Sequence, residues 1–217
     1  AQHLLAELYC TTGQYTEAVA AATVVINDPN TALMTTRFGS RSTETPGDVY
    51  WDMFRRGNQN RSSGNKEGIL VIQMENDVIG GAANTALSWP SGDLYSLERI
   101  HPGLVRDVRI NGVAAFNWPA ADYSSGGRGV GFMSPSMYFI DNAYQSDYNN
   151  DIRNANHNFV RVFKITNAAH PMYNQDFDFH NMPANTTGTG GATLTSGVPS
   201  RAIYPYQTKC TEPYNPP

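Results

Sequence analysis

The chain has 217 residues, with 15 basic and 19 acidic side chains for a formal charge of −4; this length suffices for one large domain or two small ones without disulfide staples. Hydrophobic residues make up 40% and charged residues 16%, with mean hydropathy −0.43, so uncharged polar residues fill the difference and the profile is that of a soluble, loop-rich fold. A pI near 5.7 gives no electrostatic footprint for nucleic acid or an anionic bilayer, and no apolar run is long enough to be a spanning helix.

The N-terminus carries neither an initiator Met nor a signal peptide and opens into an amphipathic pattern, as expected of a piece of a longer protein. Apolar residues at Ala1, Leu4, Leu5 and Leu8, a break at Gly13, then Tyr15, Ala18, Val19, Ala22 and Ile26 predict a helix hairpin over 1–29. Its G-x-Y-x-x-A-V run, with Leu5, Ala6 and Tyr9 on the first helix, resembles one tetratricopeptide repeat. That resemblance implies small residues bringing the helices together and Tyr15 filling the groove between them. Residues 30–47 form a polar loop, after which Asp48 caps a short helix bearing Tyr50, Trp51, Met53 and Phe54, closed by Gly57. The run ILVIQM at 69–74 reads as a brief buried strand or an extended core segment. Residues 76–133 are aromatic and turn-rich, so irregular structure is expected there. Ser134-Pro135 starts a helix carrying Met137, Ile140 and Tyr144, with proline at its first position. The run FVRVFKI at 159–165 is strand-like, 181–199 is a Gly/Thr/Ser loop, and Cys10 and Cys210 show no ligand spacing, which leaves a disulfide between them open but unsupported.

Three features align with one family: the hairpin, the segment VYWDMFRRGNQNRSSGNKEGILVIQM, and GRGVGFMSPSMYFIDNAYQSDYNNDIRN followed by Phe159 to Phe163. Through Trp51, Phe54, Glu67, Gly68 and Ile69, and through Asp141 to the Asp151-Ile152-Arg153 end, residues 1–165 resemble the SusD/RagB outer-membrane nutrient-binding lipoproteins of Bacteroidetes. The lipobox Cys, earlier helical repeats and helical C-terminal end of that family are not in this sequence. The resemblance implies a mainly α fold: a tetratricopeptide-like helical hairpin (1–29) packed as one unit against a loop-rich SusD-type region with a few short strands (30–217). It also implies a surface-exposed protein of the cell outer membrane, held by a lipid anchor outside this fragment. Such a protein captures oligosaccharide without catalysis or cofactor and delivers it to a SusC-like TonB-dependent transporter. A peptide-binding member of the family, or a tetratricopeptide-type protein-interaction scaffold, is the alternative.

Sugar recognition needs flat aromatic faces to stack on pyranose C–H surfaces and planar polar groups to bond the hydroxyls, on loops held by a rigid frame. Trp89, Tyr95, Trp118 and Tyr123, with Asn117, Asp122 and Arg128 as polar neighbours, offer that inventory in the irregular stretch. Trp51 shares a capped helix with Tyr50 and Phe54, a spacing that favours the core. Asp176, Asp178 and His180 alternate with Phe177 and Phe179, which would place the polar groups on one face of a strand, with His170 upstream. A half-buried strand accounts for that string better than a metal site does, and Asp147, Asn149 and Asp151 lack the Gly and Glu of a calcium loop. The GGRGVG run at 126–131 has no strand before it and no phosphate-binding register. No G-x-S-x-G elbow or zinc-protease signature occurs. Arg55, Arg56, Arg61 and Lys66 read as a local basic patch on a solvated or interdomain face.

Overall fold

The structure, a computed structural model, describes residues 1–71, 100–117, 129–145 and 150–211. Helices α1 (Gln2–Thr11) and α2 (Tyr15–Ile26) form the expected hairpin, turning at Gly13 with φ 77°. Its closest approach is made by small residues, since Ala18 and Ala21 are the buried positions of α2. Tyr15 does not fill the groove: it is 69% exposed, along with Leu4, Leu8, Val19 and Ile26. Asp48 caps α3 (Val49–Met53) by accepting from the Trp51 N–H at 2.8 Å. The 69–74 run departs from expectation in its described part, because Ile69 is exposed, Leu70 is 80% exposed and no strand forms at 69–71.

From residue 105 onward the chain is built from very short antiparallel pairs. Strands β1 (Arg109–Ile110), β2 (Val113–Ala114) and β6 (Thr186–Thr187) make a three-stranded sheet in the order β2-β1-β6. Strand β3 (Phe159–Val160) pairs with β7 (Tyr206–Gln207), and β4 (Val162–Lys164) with β5 (Asp176–Asp178), Phe163 lying opposite Phe177. The strand-like 159–165 run is therefore two strands with different partners. It divides at Arg161, whose N–H donates to Asn156 Oδ1 at 2.9 Å while its guanidinium lies over the Phe159 ring and donates to the Ile140 carbonyl. Helix α4 (Met137–Asp141) is capped by Ser136, so Pro135 precedes the helix instead of opening it.

The core sits among these β segments. Val108, Ile110, Phe116, Phe163, Phe177 and Ile203 are buried together, with Phe116, Phe163 and Phe177 in edge-to-face contact. Ile140, Phe159 and Phe179 form a smaller cluster under α4.

The mainly α expectation is overturned. Among the described residues there are four α-helices, two of them only five residues long, against seven short strands in three antiparallel sheets, and the principal core is formed by residues of the strands and of the loops beside them, with none from an α-helix. The physical reason lies beyond residue 48, where buried residues alternate with polar ones, as in Asp176-Phe177-Asp178-Phe179, instead of recurring at helical spacing. Among the described residues no helix is long and apolar enough to cross a membrane.

Candidate functional site

Of the seven sequence-derived candidates, Asn117 is described; Trp89, Tyr95, Trp118, Asp122, Tyr123 and Arg128 lie outside the described residues. Asn117 is exposed and doubly tied to one residue. Its backbone N–H donates to Thr166 Oγ1 at 3.0 Å and its Nδ2 donates to the Thr166 carbonyl at 2.8 Å. Behind it Phe116 is buried, and the Ala115 N–H donates to the Val108 carbonyl at 3.0 Å. The chain thus enters 118–128 from a fixed point.

The far side of that segment is fixed as well. The Gly131 N–H donates to the Pro102 carbonyl, and the N–H groups of Phe132 and Met133 both donate to the Ile100 carbonyl. A Cβ on Gly129 would stand 2.2 Å from the Gly103 oxygen, and one on Gly131 2.4 Å from the Arg201 oxygen. This close backbone crossing explains the end of the glycine run better than any ligand does. Ile100 closes segment 72–99 and Gly129–Met133 follows segment 118–128, so these hydrogen bonds join the flanks of the two segments that carry the other six candidates.

Around this junction lie groups that sequence reading placed in a motif or on a helix and did not recognise as surface. Phe132, Met133 and Met137 are exposed, and Tyr138 is 69% exposed. The Arg201 guanidinium lies 5.2 Å from the Phe132 ring centre, and its Nε donates to the Val130 carbonyl at 3.1 Å. Beneath them the Tyr204 phenol is buried, and burial pushes its pKa up to about 12 against smaller opposing effects of the Met133 backbone and Arg201. An exposed aromatic face beside a guanidinium is chemistry for binding uncharged polar ligands.

The remaining candidate groups are dispersed. Trp51 is 1% exposed with guanidinium carbons of Arg41 and Arg55 at 4.6 and 4.4 Å from its ring, a core residue as its helical spacing implied. Arg55 corrects the basic-patch reading: it is fully buried, donating to the carbonyls of Trp51, Thr208 and Thr211 at 3.0, 2.7 and 2.9 Å. Arg61 instead reaches the Asn30 carbonyl. His170 is buried with Nδ1 accepting from the Met172 N–H, while Asp176 pairs with Lys164 and His180 Nε2 lies 2.8 Å from Asp141. Among the described residues no group of three or more His, Cys, Asp or Glu side chains converges as a metal site would require. Asp151 is taken by Arg153, whose guanidinium holds its carboxyl below the ordinary aspartate range.

Set beside known proteins, the chain matches no family model, no curated protein and no solved structure.

Proposed function

We propose that this protein captures oligosaccharide at the cell surface without catalysing a reaction, and that Trp89, Tyr95, Asn117, Trp118, Asp122, Tyr123 and Arg128 supply its ligand site. The observation that carries the reading is that Ile100, which follows segment 72–99 in the chain, and Gly131–Met133, which follow segment 118–128, are joined by backbone hydrogen bonds. The Arg201–Phe132 pair adds aromatic and guanidinium surface at that junction. The SusD/RagB-like motifs support delivery to a SusC-like TonB-dependent transporter in the outer membrane. The exposed apolar residues of the hairpin, Leu4, Leu8, Tyr15, Val19 and Ile26, favour a second reading in which this element contacts protein. A peptide ligand in place of the glycan would use the same aromatic loops.

Trp118 separates the two readings. It stands between Asn117 and Pro119, and proline restricts the residue before it to extended conformations, stiffening the backbone that presents the indole. Trp118→Ala is expected to weaken oligosaccharide binding by about 1–3 kcal/mol in a calorimetric titration while barely moving the melting temperature. A stability loss of about 3–5 kcal/mol, with binding reduced only as far as the fold is, assigns Trp118 to the core and removes the site as drawn.

A further inference from the structure

Asn111 and Gly112 form the one Asn-Gly dipeptide of the chain, and they are the two residues joining β1 to β2. Their φ angles are 50° and 80°, the pair of left-handed conformations that a two-residue hairpin turn of type I′ demands. Both residues are exposed, and a Cβ on Gly112 would meet nothing within 4 Å. Solvent and base therefore have free access to the Gly112 amide. Asn111 is braced from β6: its N–H donates to the Asn185 carbonyl at 3.2 Å, and its Oδ1 accepts from Asn185 Nδ2 at 2.9 Å.

A side-chain carboxamide followed by glycine can react with its own backbone, because no Cβ shields the next nitrogen. The attack requires ψ of the asparagine to swing until that nitrogen faces Cγ. The left-handed well holds ψ at roughly +30 to +60° instead, and the bond from Asn185 keeps the carboxamide turned toward β6. We infer that Asn111–Gly112 is a deamidation site held shut by the β1–β2 turn and its Asn185 brace, reacting when this hairpin opens. In the open chain the Gly112 nitrogen bonds to Asn111 Cγ as the Cγ–Nδ2 bond breaks. The Gly112 amide proton passes to a solvent base, and the side-chain nitrogen leaves as ammonia. Water then opens the cyclic imide at either carbonyl, leaving aspartate or isoaspartate at position 111; no reactant other than water is consumed. Isoaspartate adds a carbon to the main chain, which a two-residue turn cannot absorb, so the Arg109–Ala114 and Ile110–Val113 register does not re-form. Strand β2 leads directly to Asn117, so the product loosens the fixed entrance to 118–128.

The test is peptide mapping by mass spectrometry, with isoaspartate detection, on the whole chain held at mildly alkaline pH with and without denaturant. Conversion at Asn111 is expected to be at least about tenfold slower in the folded chain, equivalent to an opening free energy of about 1.4 kcal/mol or more. Asn185→Gly, which accepts the positive φ at 185 and keeps the backbone bond but removes the Nδ2 bond that holds the Asn111 carboxamide, is expected to speed conversion several-fold with an unchanged circular dichroism spectrum. Equal rates in folded and denatured wild-type chain overturn the inference, as does an unchanged rate in a folded Asn185→Gly variant.

Discussion

Asp48 does two jobs with one carboxylate. Oδ1 accepts from the Trp51 N–H at the start of α3, and Oδ2 lies 2.7 Å from both His157 Nε2 and Asn158 Nδ2 at the approach to β3. Burial alone would raise its pKa, but the hydrogen bonds from His157, Trp51 and Asn158 together outweigh it and hold the group below the ordinary aspartate value of 3.8. A depressed carboxylate contributes stability that is fully present above the unfolded pKa and is lost as pH falls through the folded one. Urea denaturation followed from pH 7 down to about 3 should therefore show an acid loss that is smaller in Asp48→Asn. Asp48→Ala should cost about 2–4 kcal/mol at neutral pH, through the lost cap and the unpaired Asn158 amide. Tyr204 behaves in the opposite sense: its pKa is raised to about 12 from 10.0, so the stability of its neutral form is present below pH 10 and fades as pH rises through 12. Tyr204→Phe should flatten that alkaline limb, and an equal alkaline loss in the variant would assign the effect to another group.

At the scale of elements, Arg55 ties α3 to the end of the chain. Its three nitrogens reach the carbonyls of Trp51, Thr208 and Thr211, and its guanidinium stacks on the Trp51 ring. A lysine ammonium cannot reproduce that fork. Arg55→Lys should cost about 2–4 kcal/mol and expose 208–211 to proteolysis before the rest of the chain unfolds; retention of full stability would show that the fork contributes little. Element by element, legibility in the sequence followed locality. The α1–α2 hairpin and the Asp48-capped helix were readable because cap, glycine and apolar spacing all lie within a few residues. The division of 159–165 was not, since it depends on β5 and β7, which lie at residues 176–178 and 206–207. The exposure of Tyr15 and Leu70 was equally hidden, because an apolar residue in a periodic pattern does not state what, if anything, covers it.

Across the whole molecule, the helical opening does not set the fold class, because the principal core lies among two- and three-residue strands and the loops beside them. The sequence also hid the meaning of Gly103, Gly129 and Gly131. These permit three distant backbones, near residues 102, 130 and 201, to cross within hydrogen-bonding reach, and only the assembled fold shows that a Cβ there would strike a carbonyl. Composition gives an aromatic inventory, 12 Tyr and 3 Trp in a weakly charged chain, without saying which rings reach the surface: Trp51, Tyr204 and Tyr206 are buried. It could not indicate that Ile100 and Met133, which follow segments 72–99 and 118–128 in the chain, would be hydrogen-bonded to each other. The central claim, a proposal, is that the aromatic residues of 72–99 and 118–128 serve the binding of an uncharged, hydroxyl-rich ligand. Isothermal titration of the protein against a panel of plant and host oligosaccharides, with a peptide panel run beside it, tests this most directly. Saturable, weak-to-moderate binding to at least one oligosaccharide and to no peptide is the expected result; binding to neither panel contradicts the account.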